Sequence, residues 1–177
     1  MGLSISKTLV ILSIIKGIFV LSLILSLILW SVPILSFGSS IWTILQTRSG
    51  VLVTEEVRNY NDIVAEFFIT GLGIEFLTER EFSHMQDVKQ MITIANVLLV
   101  FSFVSLVSGF SYLSKSQKSF LLKAARKTSI FIFITTLILS VIILLNFNAA
   151  FLSFHKIFFV RNFIFPADSL LKTLYPD

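Results

Sequence analysis

Three long apolar stretches most strongly limit what this chain can fold into. They cover residues 8–37, 91–113 and 128–154, and Lys16 is the one charged residue within them. A helix rises about 1.5 Å per residue, so about 20 residues cross the roughly 30 Å of hydrocarbon in a bilayer. Backbone groups in hydrocarbon must pair within their own segment, which favours helices. The sequence therefore predicts an all-α polytopic membrane protein with three transmembrane helices.

The composition supports the same class of protein. The chain has 55% hydrophobic and only 14% charged residues, with a mean hydropathy of +0.93. A soluble domain of this size would leave too much apolar surface in water. There is no cysteine, which excludes disulfides, thiol nucleophiles and cysteine metal sites. The net charge of +4 comes from basic residues beside the apolar stretches, so the expected surroundings are membrane lipid and no nucleic-acid partner is predicted.

The first apolar stretch has a second interpretation, a cleaved signal peptide. Lys7 would be its basic region, and Ser36-Phe37-Gly38 would be a weak cleavage site. The apolar region of a signal peptide is usually about 7–15 residues, and this stretch is much longer. A retained span is therefore favoured, with a kink at Pro33 near its outer end.

The basic residues predict how the chain crosses the membrane. The connector 114–127 carries basic residues and no acidic one, namely Lys115, Lys118, Lys123, Arg126 and Lys127. The positive-inside rule puts this connector and the N-terminus inside. Segment 38–90, which is mainly acidic, and segment 155–177 then lie outside. The whole chain, 1–177, forms a single membrane domain in this interpretation.

The sequence of the outer segment 38–90 predicts two further helical features. Apolar residues at helical spacing predict an amphipathic helix over 54–70, namely Val57, Tyr60, Val64, Phe67 and Phe68. Thr54 can cap its start. The stripe suits either a solvated cap over the bundle or a lid lying in the lipid headgroups. Thr78 and Glu81 form a capping box, which predicts a helix that begins near Glu79 and continues into the second span.

The only two histidines of the chain, His84 and His155, stand at the ends of different apolar stretches. His84 precedes the second stretch and His155 follows the third, so the predicted topology returns both to the same outer interface. Asp87 and Arg80 lie within one turn of His84 on the same helical side. One interfacial histidine is commonly just a polar residue, but two that converge favour a functional site. Histidine titrates near neutrality and can transfer a proton in either direction.

Other chemistries fit the residues less well. Two histidines without cysteine give too few metal ligands, since Asp87 would have to be a third, and no zinc spacing is present. A bis-histidine haem would need its ligands deeper in the bundle. The serines within the spans suit helix packing better than nucleophilic catalysis. Acid–base catalysis by the histidines, with no metal and no cofactor, is the prediction.

Two blocks of sequence carry a resemblance to a known family. The first block contains Leu77, Thr78, Arg80, Glu81, His84, Met85, Asp87, Val88 and Lys89. The second contains Phe154, His155, Phe158, Phe159, Asn162, Asp168, Leu170, Leu171 and Pro176. The residues and their spacing resemble the sequence pattern of the bacterial lipoprotein intramolecular transacylase family (Lit). The order of the predicted elements also resembles that of the family over nearly the whole chain. Phe163 and Ile164 stand where members usually have an acid and a tryptophan, and members usually continue into a fourth span.

The resemblance implies an acyltransferase of the bacterial cell membrane whose active site faces outward. Its substrates would be diacylglyceryl lipoproteins, whose sn-2 acyl chain moves to their own N-terminal α-amine to give the lyso-form. His84 and His155 would be the catalytic acid and base, and no cofactor would be needed. The implied supporting or substrate-positioning residues are Asp87, Arg80, Glu81, Lys89, Arg161, Asn162 and Asp168.

Two further interpretations remain open from the sequence. A non-catalytic membrane protein of the same fold could bind lipids or lipoproteins without turning them over. A small metal or haem carrier would use the same two histidines as ligands.

Overall fold

The computed structural model describes residues 2–159, 164–166 and 168–175, and these residues form eight helices and no strand. In chain order the helices are α1 (Gly2–Leu29), α2 (Ser31–Phe37), α3 (Ser39–Arg48), α4 (Glu55–Thr70), α5 (Glu79–Leu113), α6 (Lys118–Leu145), α7 (Phe147–Phe158) and α8 (Leu170–Leu174). Within the described residues, three helical segments are long and apolar enough to cross a membrane: Lys7–Phe37, Glu79–Leu113 and Lys118–Leu145. The predicted all-α class with three spans is confirmed.

The chain divides into two compact units. The first comprises Met1–Trp30 and Asn96–Ser140, and the second comprises Ser31–Ala95 and Val141–Asp177. Helices α5 and α6 each contribute residues to both units, so each unit is built from segments far apart in sequence.

The first unit is a packed group of apolar helices. Phe19 of α1, Leu113 of α5 and Leu121 of α6 are buried in its core. The hydroxyl oxygens of Ser26 and Ser102 lie 3.1 Å apart, between α1 and α5. Small residues at such positions let helices approach closely and bond across the contact. The serines therefore pack helices here, as the sequence predicts.

Two of the apolar stretches are divided between helices. Helix α1 ends at Leu29, and Pro33 occupies the first turn of α2, where a missing N–H is tolerated. The side chain of Asn146 accepts a hydrogen bond of 3.0 Å from the Ala149 N–H and caps the start of α7. Stretch 128–154, which composition presents as one span, is thus shared between α6 and α7.

The amphipathic helix of the second unit is α4, capped by Thr54 as predicted. The Thr54 hydroxyl accepts a bond of 3.3 Å from the Val57 N–H. Val64 and Phe67, on the apolar stripe, are only 2% and 1% exposed, and they pack against Ile74 and other residues of the core. The stripe faces the protein interior, which favours a cap over a lid in the headgroups.

Helix α5 begins at the predicted capping box. The Glu81 carboxylate accepts bonds of 3.0 Å from the Thr78 N–H and 2.7 Å from the Thr78 hydroxyl. The helix has 35 residues, so it is about 52 Å long at the usual rise. This exceeds the roughly 30 Å of hydrocarbon. Because every charged residue of α5 lies in 79–89, this end of the helix extends out of the hydrocarbon.

Candidate active site

The two histidines meet in the second unit. His84 lies in the second turn of α5 and His155 in the last turn of α7. Their ring centroids are 6.0 Å apart and their planes are 26° from parallel. His84 is 8% exposed and His155 is half-buried. The structure therefore brings together the two residues that the sequence singled out.

Aromatic rings surround both imidazoles. The ring of Phe159 is centred 4.8 Å from that of His84 and 5.3 Å from that of His155. Phe165 lies 5.4 Å from His84, and Phe151 lies 3.9 Å from His155. These apolar neighbours limit contact between the imidazoles and bulk water. Phe151 and Phe159 stand four residues either side of His155, a spacing from which the sequence could have indicated this enclosure.

A hydrogen bond fixes the tautomer of neutral His155. Its Nδ1 atom lies 2.9 Å from the backbone oxygen of Phe151. A carbonyl oxygen can only accept, so Nδ1 carries the proton and donates. The lone pair of the neutral ring then resides on Nε2. His155 is therefore held in the form in which Nε2 can accept a proton.

His84 differs from its neighbour in its hydrogen bonding. Its Nδ1 atom is buried and has no hydrogen-bond partner within the described part of the chain. Asp87 is exposed and close enough to interact electrostatically with His84, yet no hydrogen bond joins the two among the described residues. A buried polar atom without a partner is uncommon in folded proteins, and a catalytic role is one of the explanations for such an atom.

Both histidines line a pocket of about 210 Å³. The other lining residues are mostly apolar and come from α5, α7, α8 and the segment before α8, namely Met85, Phe151, Leu152, Ile164, Phe165, Leu171, Lys172 and Tyr175. Lys172 adds a cationic side chain to this lining. Sequence reasoning missed Lys172 and Tyr175, because only the folding of α8 against α5 brings them to the histidines.

Comparison with models of known protein families shows which family the chain belongs to. The family model described as "Lipoprotein intramolecular transacylase Lit" matches residues 9–165. The chain belongs to this family. As a member of the Lit family it is an acyltransferase. A comparison with curated protein sequences finds no match.

Solved structures of the Lit transacylase from Bacillus cereus are similar in fold. One, determined in meso, has a TM-score of 0.81 at 18% identity and covers 94% of this chain and 82% of that chain. Variants of that protein with a histidine changed to arginine or to alanine have TM-scores of 0.75, at 16% and 17% identity. They cover 98% and 100% of this chain, and 82% and 84% of theirs. At these identities the likeness establishes the fold, that of a membrane-integral protein.

Two further residues of the first Lit sequence block lie near the histidine pocket. The Arg80 guanidinium is 5.9 Å from the centre of the Phe165 ring, which itself contacts His84. Glu81 is buried, and its second carboxylate oxygen accepts a bond of 3.1 Å from the Leu171 N–H at the start of α8. Arg80 thus borders the pocket, while Glu81 holds one of its walls.

The remaining predicted residues lie away from the pocket or outside the described residues. The Lys89 ammonium is 5.3 Å from the centre of the Phe67 ring, on the side of α4. Asp168 is exposed in the turn before α8. Arg161 and Asn162 fall outside the described residues.

A buried amide pair supports the wall of the pocket in this Lit family member. Asn61 is fully buried, and its Nδ2 donates a bond of 2.7 Å to Gln46 Oε1. Gln46 Nε2 donates bonds of 3.1 Å to Asn61 Oδ1 and 2.9 Å to the Leu174 oxygen. The Tyr175 hydroxyl donates to the same Asn61 oxygen over 3.1 Å. Burial raises the pKa of the Tyr175 phenol well above its ordinary value, so the group remains a neutral donor.

Proposed function

We propose that this protein moves the sn-2 acyl chain of a diacylglyceryl lipoprotein to the α-amine of the same lipoprotein. The observation that carries the proposal is the close pair of imidazoles, 6.0 Å apart, in one largely apolar pocket. Membership of the Lit family supports a lipoprotein substrate. The product would be a lyso-form lipoprotein with an amide-linked acyl chain and a free sn-2 hydroxyl.

Two histidines supply the proton transfers that this reaction needs. A terminal α-amine has a pKa of about 7.7–8.0 and attacks only when neutral. Nε2 of His155 takes the proton that the amine loses as its nitrogen bonds to the ester carbonyl carbon. As the carbon–oxygen bond breaks, His84 gives a proton to the glycerol oxygen and receives at its other ring nitrogen the proton held by His155, so both rings return to their starting states. An ester and an amine become an amide and an alcohol, with no net change in protons.

The surroundings suit a transfer within one molecule. Donor and acceptor belong to the same lipoprotein, so holding them in register replaces an encounter between two molecules and supplies much of the barrier reduction. The phenylalanines around the imidazoles limit water, which would otherwise hydrolyse the ester. We assign to Lys172, which lines the pocket, electrostatic stabilisation of the negative charge that develops on the carbonyl oxygen.

The proposed setting is the bacterial cell membrane, with the histidine pocket facing outward. The basic connector 114–127 and the acidic segment 38–90 support this orientation through the positive-inside rule. The N-termini of mature lipoproteins lie on that face, so the pocket and its substrate would share one side of the membrane.

An isotope experiment tests the reaction. Purified protein receives a diacylglyceryl lipopeptide with a labelled sn-2 chain, amid unlabelled phospholipid, and the products are analysed by mass spectrometry. We expect the label on the amine and a hydroxyl at sn-2. The His155→Ala variant is the matched control and should give neither.

Two other results would each contradict the proposal. An unlabelled amide with the glycerol still diacylated would indicate a phospholipid-dependent acyltransferase. Binding of the lipopeptide without any conversion would favour a non-catalytic lipoprotein-binding protein.

A further inference from the structure

A second cavity lies in the same unit as the histidine pocket. It is open on one side and has a volume of about 500 Å³, more than twice the 210 Å³ of the histidine pocket. Residues of α2, α3, α4, α5 and α8 line it. Met85 and Tyr175 line both spaces, so these two side chains form a shared wall.

Most polar side chains that line this second cavity are already engaged. Gln46 and Tyr175 bond to Asn61, as described above. The Trp42 indole N–H donates to the Leu35 oxygen, and the Ser49 hydroxyl donates to the Leu45 oxygen over 3.0 Å. Ser36 is the remaining side chain with a hydroxyl in the lining. The cavity therefore presents carbon atoms to a ligand, with few groups left to recognise a polar one.

The size and polarity of the cavity suit a hydrocarbon chain. A water molecule in the liquid occupies about 30 Å³, and a methylene group is of similar size, so the space holds roughly a dozen or more carbons. Cavities lined by apolar side chains bind apolar ligands in preference to water.

We propose that this cavity holds the sn-2 acyl chain of the lipoprotein while its ester carbonyl lies in the histidine pocket. This inference rests on the function proposed above. The chain attached to the reacting carbonyl must extend out of the histidine pocket, and a space of acyl-chain size adjoins that pocket at Met85 and Tyr175, which line both. The cavity, and not the histidine pocket, then determines which chain lengths are transferred.

Filling the cavity should change chain-length preference. Val88 lines the cavity from α5, and Val88→Phe would shorten the space. Lipopeptides with sn-2 chains of two to eighteen carbons and a constant sn-1 chain are the probes. We expect kcat/KM for the longest chains to fall by about tenfold, because a change of one methylene in an apolar pocket has an effect of that order. Transfer of the shortest chains should be unchanged.

Val97→Phe is the matched control, since Val97 is on the same helix, is 49% exposed and lines neither cavity. It should keep the wild-type dependence on chain length. Leu45→Trp, at a lining position on α3, provides an independent filler if Val88→Phe does not fold. Equal chain-length profiles for the filled variants and the wild type would overturn the inference.

A binding measurement separates this inference from the proposed function. A lipopeptide with a diazirine at the end of its sn-2 chain is photolysed on the wild-type protein, and labelled peptides are identified by mass spectrometry. Labelling of α3 or of residues 85–92, reduced in Leu45→Trp, supports the cavity even if no transfer occurs. Transfer accompanied by labelling elsewhere would refute the cavity assignment and leave the reaction intact.

Discussion

The Nδ1 atom of His155 donates a hydrogen bond of 2.9 Å to the backbone oxygen of Phe151, one turn earlier in α7. The bond fixes the ring orientation as well as the tautomer, because the carbonyl belongs to the same helix. The two histidines therefore have different assigned tasks: His155 has a defined basic atom, and His84 has a buried nitrogen without a partner among the described residues.

Replacing His155 with alanine should remove the general base. We expect kcat for acyl transfer to fall by about 10²–10⁴-fold, the usual contribution of a positioned acid or base. KM should change little, since the apolar walls of the pocket remain. Added imidazole should restore part of the rate in the alanine variant. Near-normal turnover of His155→Ala would remove this residue from the mechanism.

His84→Ala should also reduce acyl transfer strongly, whereas Asp87→Asn should reduce it only a few-fold. Asp87 is exposed and acts on His84 without a hydrogen bond among the described residues, so its charge is partly screened by water. Both variants are compared by single-turnover kinetics, with expression and thermal unfolding as controls for folding. An Asp87→Asn rate as low as that of His84→Ala would give Asp87 a direct catalytic role.

The buried amide of Asn61 should contribute to stability. Asn61→Ala leaves Gln46 and Tyr175 without their partner, and a buried polar group left unsatisfied costs about 1–3 kcal/mol. We expect a lower midpoint of thermal unfolding in detergent. Asn59→Ala, on the same helix at an exposed position, is the matched control and should shift the midpoint little. Equal shifts for the two variants would show that the amide network contributes nothing specific.

The Glu81 side chain should contribute more to stability than that of Glu79, two residues earlier. Glu81→Gln weakens charge-assisted bonds to Thr78 and to the Leu171 N–H, so we expect a loss of about 1–2 kcal/mol of unfolding free energy. Glu79→Gln, at an exposed position of the same turn, should change it by a few tenths. Limited proteolysis near α8 should quicken only in Glu81→Gln. A stable Glu81→Gln protein with unchanged proteolysis would contradict this role.

Single cysteines can report the orientation, because the wild type has none. Asn59 and Ser116 are both exposed. In intact cells, Asn59→Cys should react with a membrane-impermeant thiol reagent and Ser116→Cys should not. Permeabilised cells provide the control, since both cysteines should then react. Labelling of Ser116→Cys in intact cells would contradict the predicted topology and would indicate that the histidine pocket faces inward.

Local sequence patterns were sufficient to predict where α4 and α5 begin. Thr54 and the Thr78–Glu81 capping box act within four residues of themselves, so their bonds are independent of the rest of the fold. The bond from the Leu171 N–H to Glu81 spans 90 residues, and no local pattern reveals it. The convergence of His84 and His155 needed a topology argument, and the 6.0 Å between their rings needed the structure.

Apolar periodicity revealed some features and concealed others. A long apolar stretch looks much the same whether it is one helix or two, so the division at Asn146 was not apparent, although asparagine is a good N-cap. Asn61 lies on the same side of α4 as Val64 and Phe68, and a single amide within an apolar stripe was a signal that could have led to Gln46.

One carboxylate, that of Glu81, joins the start of α5 to the start of α8. During synthesis α8 follows all three membrane-spanning segments along the chain. The wall that carries Lys172 and Tyr175 can close only after those segments have been made. The order of translation therefore makes this wall of the histidine pocket the last part of the site to form.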